Sequence, residues 1–414
     1  MLEQRFRWCK QHNISVVLLA FLFASELLSN YLFWGVLVVG TAYYMIEEQG
    51  KLVIKNPRST MVLCLLFMVG LVGSFCSMFH NTYSGGMWVF LRDVIKISAV
   101  PLTFYLSGRL LKNKSRRVLY TTLYFFCSIY GIGSMLLAIP RYAMASGSLF
   151  AFSDNLVDQW VTAVGVFLAF FKTSEVKDYY ISPRFDRISK IGLVILLAIS
   201  FSRTAFLILI CLSIPFIKKY FGTILKSAVM LALAAMVIWN IFPEISHTFM
   251  TKIQNSLVEI SSNESKWDDY AVVTNWRGYE VHCAKQEFAG YDLLQKAIGK
   301  GFGARVDAHG YARLVTSEAY LPYLHNGYYT TLIKMGIIGV FLNILYWVSL
   351  YMDTKNRSGQ YEKNISLGVI SSLAISMTII HGIFWGGVSL SLHCFWNRIH
   401  NDFSIACIYC KRSN

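Results

Sequence analysis

Apolar runs of about twenty residues follow one another along almost the whole chain, each near the length of a helix that crosses a hydrocarbon core. Inside such a core no water bonds to exposed N–H and C=O groups, so a continuous apolar run has to be helical. The expected fold class is therefore all-α: a polytopic integral membrane protein with about 11–12 transmembrane helices. Composition agrees, with 55% hydrophobic and 15% charged residues, where a soluble domain carries about a quarter charged. One stretch, residues 242–324, cannot lie in a bilayer, and it gathers the charged and hydrogen-bonding residues absent from the runs. The chain divides accordingly into N-terminal helices over 1–242, a large polar loop over 243–325, C-terminal helices over 326–390 and an atypical tail over 391–414.

The formal net charge of +15 raises nucleic acid as a partner, but its placement excludes that class. Lys and Arg fall mainly in short segments between apolar runs, with no basic helix and no basic patch interleaved with aromatics. Short basic loops mark the cytoplasmic side of a membrane protein. The clusters around Lys51–Arg58, Arg109–Arg117, Lys172–Lys190, Lys218–Lys219 and Lys355–Lys363 all fall on that side of one consistent scheme. The turn over 80–86 holds no Lys or Arg and faces outward, and the scheme puts the large loop outside with it. Loops of that length are exempt from the charge count.

Single spans are expected at about 60–79, 87–108, 118–139, 157–171, 224–242, 327–352 and 365–390, each near the membrane-crossing length. Residues 14–46 and 191–216 are too long for one crossing. Breaks are expected at Ser29-Asn30 and at Ser200-Phe201-Ser202-Arg203-Thr204, giving two pairs of short helices. The span over 87–108 carries Arg92, Asp93 and Lys96 near its outer end. The first run is followed at once by another without a small-residue cleavage site, so no cleavable signal peptide is expected. The nine cysteines are scattered, mostly in apolar segments, where a thiol behaves as a small hydrophobe, and no disulfide framework is implied. In the tail, His393, Cys394, His400, Cys407 and Cys410 match no standard ligand spacing, so no metal is assigned. Codons can be chosen for this tail such that a one-base shift reads as a twelfth apolar span ending on lysine. The tail is therefore expected to be a frameshift product.

Several polar residues could carry chemistry. Arg203 interrupts an apolar run, where a charge is costly and usually functional or cavity-facing; at an outer turn it could equally snorkel to the interface. Arg277 and Glu280 lie in Trp276-Arg277-Gly278-Tyr279-Glu280 on an expected helix, either as site residues or as an i,i+3 pair on a solvated face. Gly299-Lys300-Gly301-Phe302-Gly303 lacks the Gly-Lys-Ser/Thr ending of a P-loop and reads as a turn needing positive φ. Lys300 and Arg305 are weaker candidates, since a soluble loop is expected to carry such charges. His325 and Asn326 stand where the next apolar helix begins. An imidazole held there can take a proton from a hydroxyl, or the pair can simply cap the helix.

These residues together resemble the O-antigen ligase and polymerase superfamily of bacterial polysaccharide assembly. Its span-embedded R-x-x-x-L is met by Arg203-Thr204-Ala205-Phe206-Leu207. Its H-N/S/Q, nine residues, then G-x-x-G/T/Y is met by His325-Asn326 followed by Gly336-Ile337-Ile338-Gly339. The W-R-G-x-E and G-x-G-F-G stretches are similar to the family's large periplasmic loop. The resemblance covers about residues 190–345 and rests on topology alone elsewhere. It implies a metal-independent, inverting glycosyltransferase without a cofactor, in the bacterial inner membrane, with the large loop periplasmic. The donor would be a glycan on undecaprenyl diphosphate. The acceptor would be a hydroxyl of a second glycan (polymerase) or of lipid A–core (ligase), with a chain-length regulator as a further partner. Arg203 and Arg277 would bind the diphosphate and His325 would be the general base, with Asn326, Glu280, Lys300 and Arg305 lining the substrate. The polymerase is favoured because such enzymes are more numerous. A flippase for lipid-linked glycans is the competing class, but it would spread charge through its spans rather than concentrate it in one loop.

Overall fold

The computed structural model describes residues 30–47, 57–80, 86–110, 116–144, 159–171, 182–200, 202–241, 267–314, 320–355 and 360–379. It is 86% helical. The N-terminal part comprises α1 (Asn30–Glu47), α2 (Pro57–Phe79), α3 (Met87–Leu110), α4 (Arg116–Met144), α5 (Gln159–Phe170), α6 (Pro183–Ser200), α7 (Arg203–Ser213) and α8 (Ile217–Ile241). Among the described residues, three helical segments are long and apolar enough to cross a membrane: Arg58–Phe79, Tyr120–Leu137 and Gly327–Thr354. Leu32–Ile46, Trp160–Phe170 and Arg203–Phe216 are apolar but shorter. Large apolar side chains also point outward along these helices, Val39, Ile46, Phe75 and Phe79 among them, with Phe79 87% exposed. Exposed apolar side chains in such number suit lipid rather than water. Of the expected Ser29-Asn30 break, Asn30 opens α1, whereas Ser29, the segment before it and the tail over 391–414 lie outside the described residues.

The run over 191–216 breaks where the sequence predicts. α6 stops at Ser200 and α7 starts at Arg203, with the Ser202 hydroxyl accepting the Ala205 N–H at 3.2 Å. A serine N-cap takes up one of the free N–H groups at a helix start, which makes so short a break tolerable. A 3₁₀ turn at Ile214–Phe216, opened by Pro215, then leads into α8.

Between residues 267 and 324 lies a small structured unit: α9 (Asp269–Thr274), α10 (Trp276–Ala289), α11 (Leu293–Ile298) and the antiparallel pair β1 (Val306–Asp307) and β2 (Tyr320–Leu321). Val272, Trp276, Tyr279, Cys283, Ala304, Val306, Leu321 and Leu324 form its core. Ile333 of α12 (Gly327–Lys355) joins the same cluster, so the loop is seated on the helix that follows it. α13 (Gln360–Ser376) completes the described chain and packs along α7.

α12 is broken internally. Gly336 sits at φ 64°, ψ −163°, outside helical geometry, and the carbonyls just before it need other partners. The glycine-rich turn supplies them: Lys300 N–H donates to Ile333 O at 3.1 Å and Gly301 N–H to Lys334 O at 2.8 Å. The approach is backbone to backbone. A Cβ at Gly336 would lie 2.4 Å from Ala297 O, and one at Gly301 2.0 Å from Ser74 N. Gly299, Gly301 and Gly303 all have positive φ, as the sequence predicts. Phe302 drives into the gap beside Gly70 of α2, and its N–H donates to Gly70 O at 3.3 Å. The turn is thus a wedge between α2 and α12.

Candidate functional site

α10 carries both Arg277 and Glu280. Trp276, Tyr279 and Cys283 bury against the loop core, and Tyr279 donates to Ala308 O at 3.1 Å. Asn275 caps the helix by accepting the Gly278 N–H at 3.0 Å. Glu280 follows Arg277 by three residues and so shares its side of the helix; Glu280 is buried, while Arg277 is half exposed.

A buried carboxylate is costly unless it is hydrogen-bonded, and Glu280 meets its donors on one residue. Its Oε2 accepts the His325 backbone N–H at 2.7 Å, and its two oxygens lie 2.9 and 3.0 Å from His325 Nδ1. Glu280 acts as acceptor at both points, so Nδ1 is the ring nitrogen that donates to it. The His325 side chain is 39% exposed against 3% for Glu280. One ring nitrogen is anchored on an enclosed carboxylate while the ring as a whole is partly open. This is the arrangement in which an orienting carboxylate fixes the tautomer of a basic histidine.

The segment carrying His325 is clamped on both sides. Asn326 Oδ1 accepts the N–H groups of Tyr328 and Tyr329 at 3.1 and 3.2 Å, capping α12. Thr330 Oγ1 accepts the Leu324 N–H at 3.0 Å. Gly327 N–H donates to Met377 O at 2.8 Å, which ties the start of α12 to the end of α13. Along α13, Ser372 reaches Ile208 O at 3.3 Å and Gly368 abuts Leu212. That antiparallel register carries Arg203, at the start of α7, to the level of Ser376 beside Met377. Arg203 therefore stands at the same end of the bundle as His325.

The other sequence candidates are placed differently. Lys300 is engaged by Glu287 at 2.6 Å and lies over the Tyr291 ring at 4.5 Å from its centroid. Arg305 is half buried, and its Nε is enclosed with no hydrogen-bond partner among the described residues. Glu280, expected to line the substrate, holds the histidine.

A buried ion pair went unnoticed in the sequence. Lys334 and Asp93 are 1% and 0% exposed, with Nζ 2.6 Å from Oδ2. Lys334 also donates to Ala304 O at 2.9 Å, and Asp93 accepts Gly303 N–H at 2.7 Å and the Tyr323 hydroxyl. The available signal was Lys334 itself, a charge inside an apolar run. Burial first, and then the Asp93 charge, hold the Tyr323 hydroxyl far above its ordinary range. Burial likewise pushes the Cys283 thiol up to about 11, so the one cysteine of the polar loop is protonated at neutral pH and is no thiolate nucleophile. Among the described residues no group of three His, Cys, Asp or Glu is placed to hold a metal ion.

No family model matches the chain, and no curated protein matches it. The described residues hold a carboxylate-held histidine, with Arg277 on the helix that carries Glu280 and Arg203 at the same end of the bundle. Such a set can accept a proton from a hydroxyl and stabilise an anionic leaving group.

Proposed function

We propose that this chain is an inverting membrane glycosyltransferase that moves a glycan from undecaprenyl diphosphate to a sugar hydroxyl, as an O-antigen or capsule polymerase. It would work at the periplasmic face of the inner membrane, with some eleven or twelve spans near the crossing length anchoring the large loop. The observation that carries the reading is the buried Glu280 holding Nδ1 of the partly exposed His325.

In this mechanism Nε2 takes the proton of the acceptor hydroxyl. The freed oxygen attacks the anomeric carbon from the face opposite the phosphate, the sugar–phosphate bond breaks, and the diphosphate leaves on the lipid carrier. Negative charge grows on that leaving group, and the planar, permanently charged guanidiniums of Arg203 and Arg277 suit phosphate oxygens. Glu280 stabilises the imidazolium that forms. The half-exposed Arg277 on the side of α10 that carries Glu280 and the level of Arg203 in the bundle both support these roles.

Profiling of lipopolysaccharide and capsule in a deletion strain tests this, with complementation by wild type, Arg203→Ala, Arg277→Ala or His325→Ala. A single repeat unit on lipid A–core, restored to long chains by wild type alone, is the expected result. Bare core with long chains stranded on the carrier would assign a ligase, and loss of capsule alone would place the polymerase in a capsule pathway. A normal profile with all three variants would overturn the catalytic assignment.

A further inference from the structure

Two neighbouring leucines of the polar loop stand outside its core. Leu293 and Leu294 open α11 and are 88% and 46% exposed. Single exposed apolar side chains are ordinary, so it is the place of this pair that calls for a reason.

Height along the transmembrane helices supplies one. The far end of α11 is wedged between α2 and α12: a Cβ at Gly336 would lie 2.4 Å from Ala297 O, and one at Gly73 2.9 Å from Ile298 O. A hydrocarbon core about 30 Å thick takes about twenty residues of helix. Counted from Thr354, at the other end of its apolar segment, about twenty residues of α12 end near Met335, beside Gly336. On α2 the same count from Arg58 ends near Ser77, about one turn beyond Gly73. Both helices thus put α11 at the boundary between hydrocarbon and headgroups.

Exposure along α12 changes at the same height. Residues 327–336 are buried or half-buried, whereas Ile337, Ile338 and Phe341 are exposed. Val72 and Phe75 of α2 are exposed as well. The leucine pair therefore sits at the edge of an apolar exterior that begins beside Gly336. The start of α11 suits that place, because backbone groups near hydrocarbon need partners within the protein. Asp292 and Gln295 form a capping box: the Asp292 side chain accepts the Gln295 N–H at 2.8 Å, and the Gln295 side chain accepts the Asp292 N–H at 3.4 Å.

We propose that Leu293 and Leu294 enter the outer leaflet of the bilayer, so that the polar loop is docked on lipid as well as on α2 and α12. The inference rests on the membrane reading of the helices and not on His325 as the base. α11 runs directly into the glycine wedge, whose N–H groups hold Ile333 and Lys334, so lipid contact at the leucines steadies the wedge from outside.

The full-length chain is placed in nanodiscs of neutral lipid that carry a nitroxide near the headgroup end of the acyl chain. One environment-sensitive fluorescent amino acid is incorporated at position 293, 270 or 75. Position 75 is the exposed Phe75 of α2; position 270 is Tyr270 of α9, which is also exposed but packs on α10 and on the 3₁₀ turn at Tyr311–Leu314. The nitroxide should quench most of the fluorescence at 293 and 75 and little of it at 270. Quenching at 75 but not at 293 overturns the docking and leaves the membrane reading standing. Quenching at neither overturns both. Equal quenching at all three overturns the assignment to α11, because the whole loop would then lie in lipid. A second test needs no probe. In nanodiscs, Leu293→Ser with Leu294→Ser should open the 267–324 region to protease about tenfold faster than wild type. Leu293→Trp with Leu294→Trp, which keeps side chains favoured at the membrane interface, should retain wild-type resistance. Wild-type resistance in the Ser variant, or a Trp variant as labile as the Ser variant, overturns the docking.

Discussion

At the scale of single residues, Glu280 is the position on which the proposed chemistry turns. Its two oxygens take both the backbone N–H and Nδ1 of His325, so removing its charge while keeping its shape is a sharp test. Glu280→Gln should still accept a hydrogen bond but no longer stabilise an imidazolium. Polymer formation should fall about 100-fold, the scale of general acid–base catalysis, with membrane abundance and melting temperature near wild type. A variant with full activity would separate Glu280 from the reaction. Cys283 supplies a pH test of the loop core. Its thiol is held at about 11, above the ordinary value of 9.0, so the folded state keeps a proton that the unfolded state has lost. Its contribution to stability is complete below pH 9 and is lost as the pH rises toward 11. Thermal unfolding scanned across that window should show a steeper loss for wild type than for Cys283→Ala.

At the scale of elements, the broken helix α12 and the glycine wedge hold the candidate site in place. Gly336 adopts a backbone that L side chains rarely take, and Ala297 O leaves no room for a Cβ. Gly336→Ala should cost roughly 1–3 kcal/mol in backbone strain alone, and the displaced turn should loosen the segment carrying His325. The checking measurement is melting temperature together with limited proteolysis of the 267–324 region. Equal protease resistance in mutant and wild type would mean that the wedge does not hold the loop. This element also shows what could be read from the chain in advance. The break at Ser202-Arg203 was legible because a capping serine beside an arginine stands out in an apolar run. The positive φ of the glycine turn was legible from the glycines themselves. The break at Gly336 was not, because a lone glycine in an apolar helix is common and only the arrival of the turn, thirty-odd residues earlier in sequence, demands it. The pairing of Glu280 with His325 was hidden for the same reason: no local periodicity relates residues 45 apart.

At the scale of the whole molecule, large apolar side chains line the outside of the described helices as well as the core, while a few charges are enclosed. Phe79, Ile46 and Val39 face outward while Asp93, Lys334 and Glu280 are enclosed. That distribution was legible in outline from the run lengths and the basic loops, whereas the buried Asp93–Lys334 pair, which ties the start of α3 to α12 and the polar loop, was not. The pair makes a testable claim about how the parts cohere. Removing either partner leaves a buried charge uncompensated, which typically costs about 3–5 kcal/mol. Asp93→Asn and Lys334→Met should therefore each lower the yield of folded protein in membranes, and the double variant should recover part of it. Sidedness can be checked in the same preparations. A cysteine placed at exposed His309, in the polar loop, should react with a membrane-impermeant maleimide in intact cells. One placed at exposed Arg187, in a basic segment at the other end of the scheme, should react only after permeabilisation, because the positive-inside bias holds such segments in the cytoplasm. Labelling of both in intact cells would break the topology on which a periplasmic site depends. Labelling of the first alone would put the polar loop on the outer face, where the proposed transfer requires His325 to be.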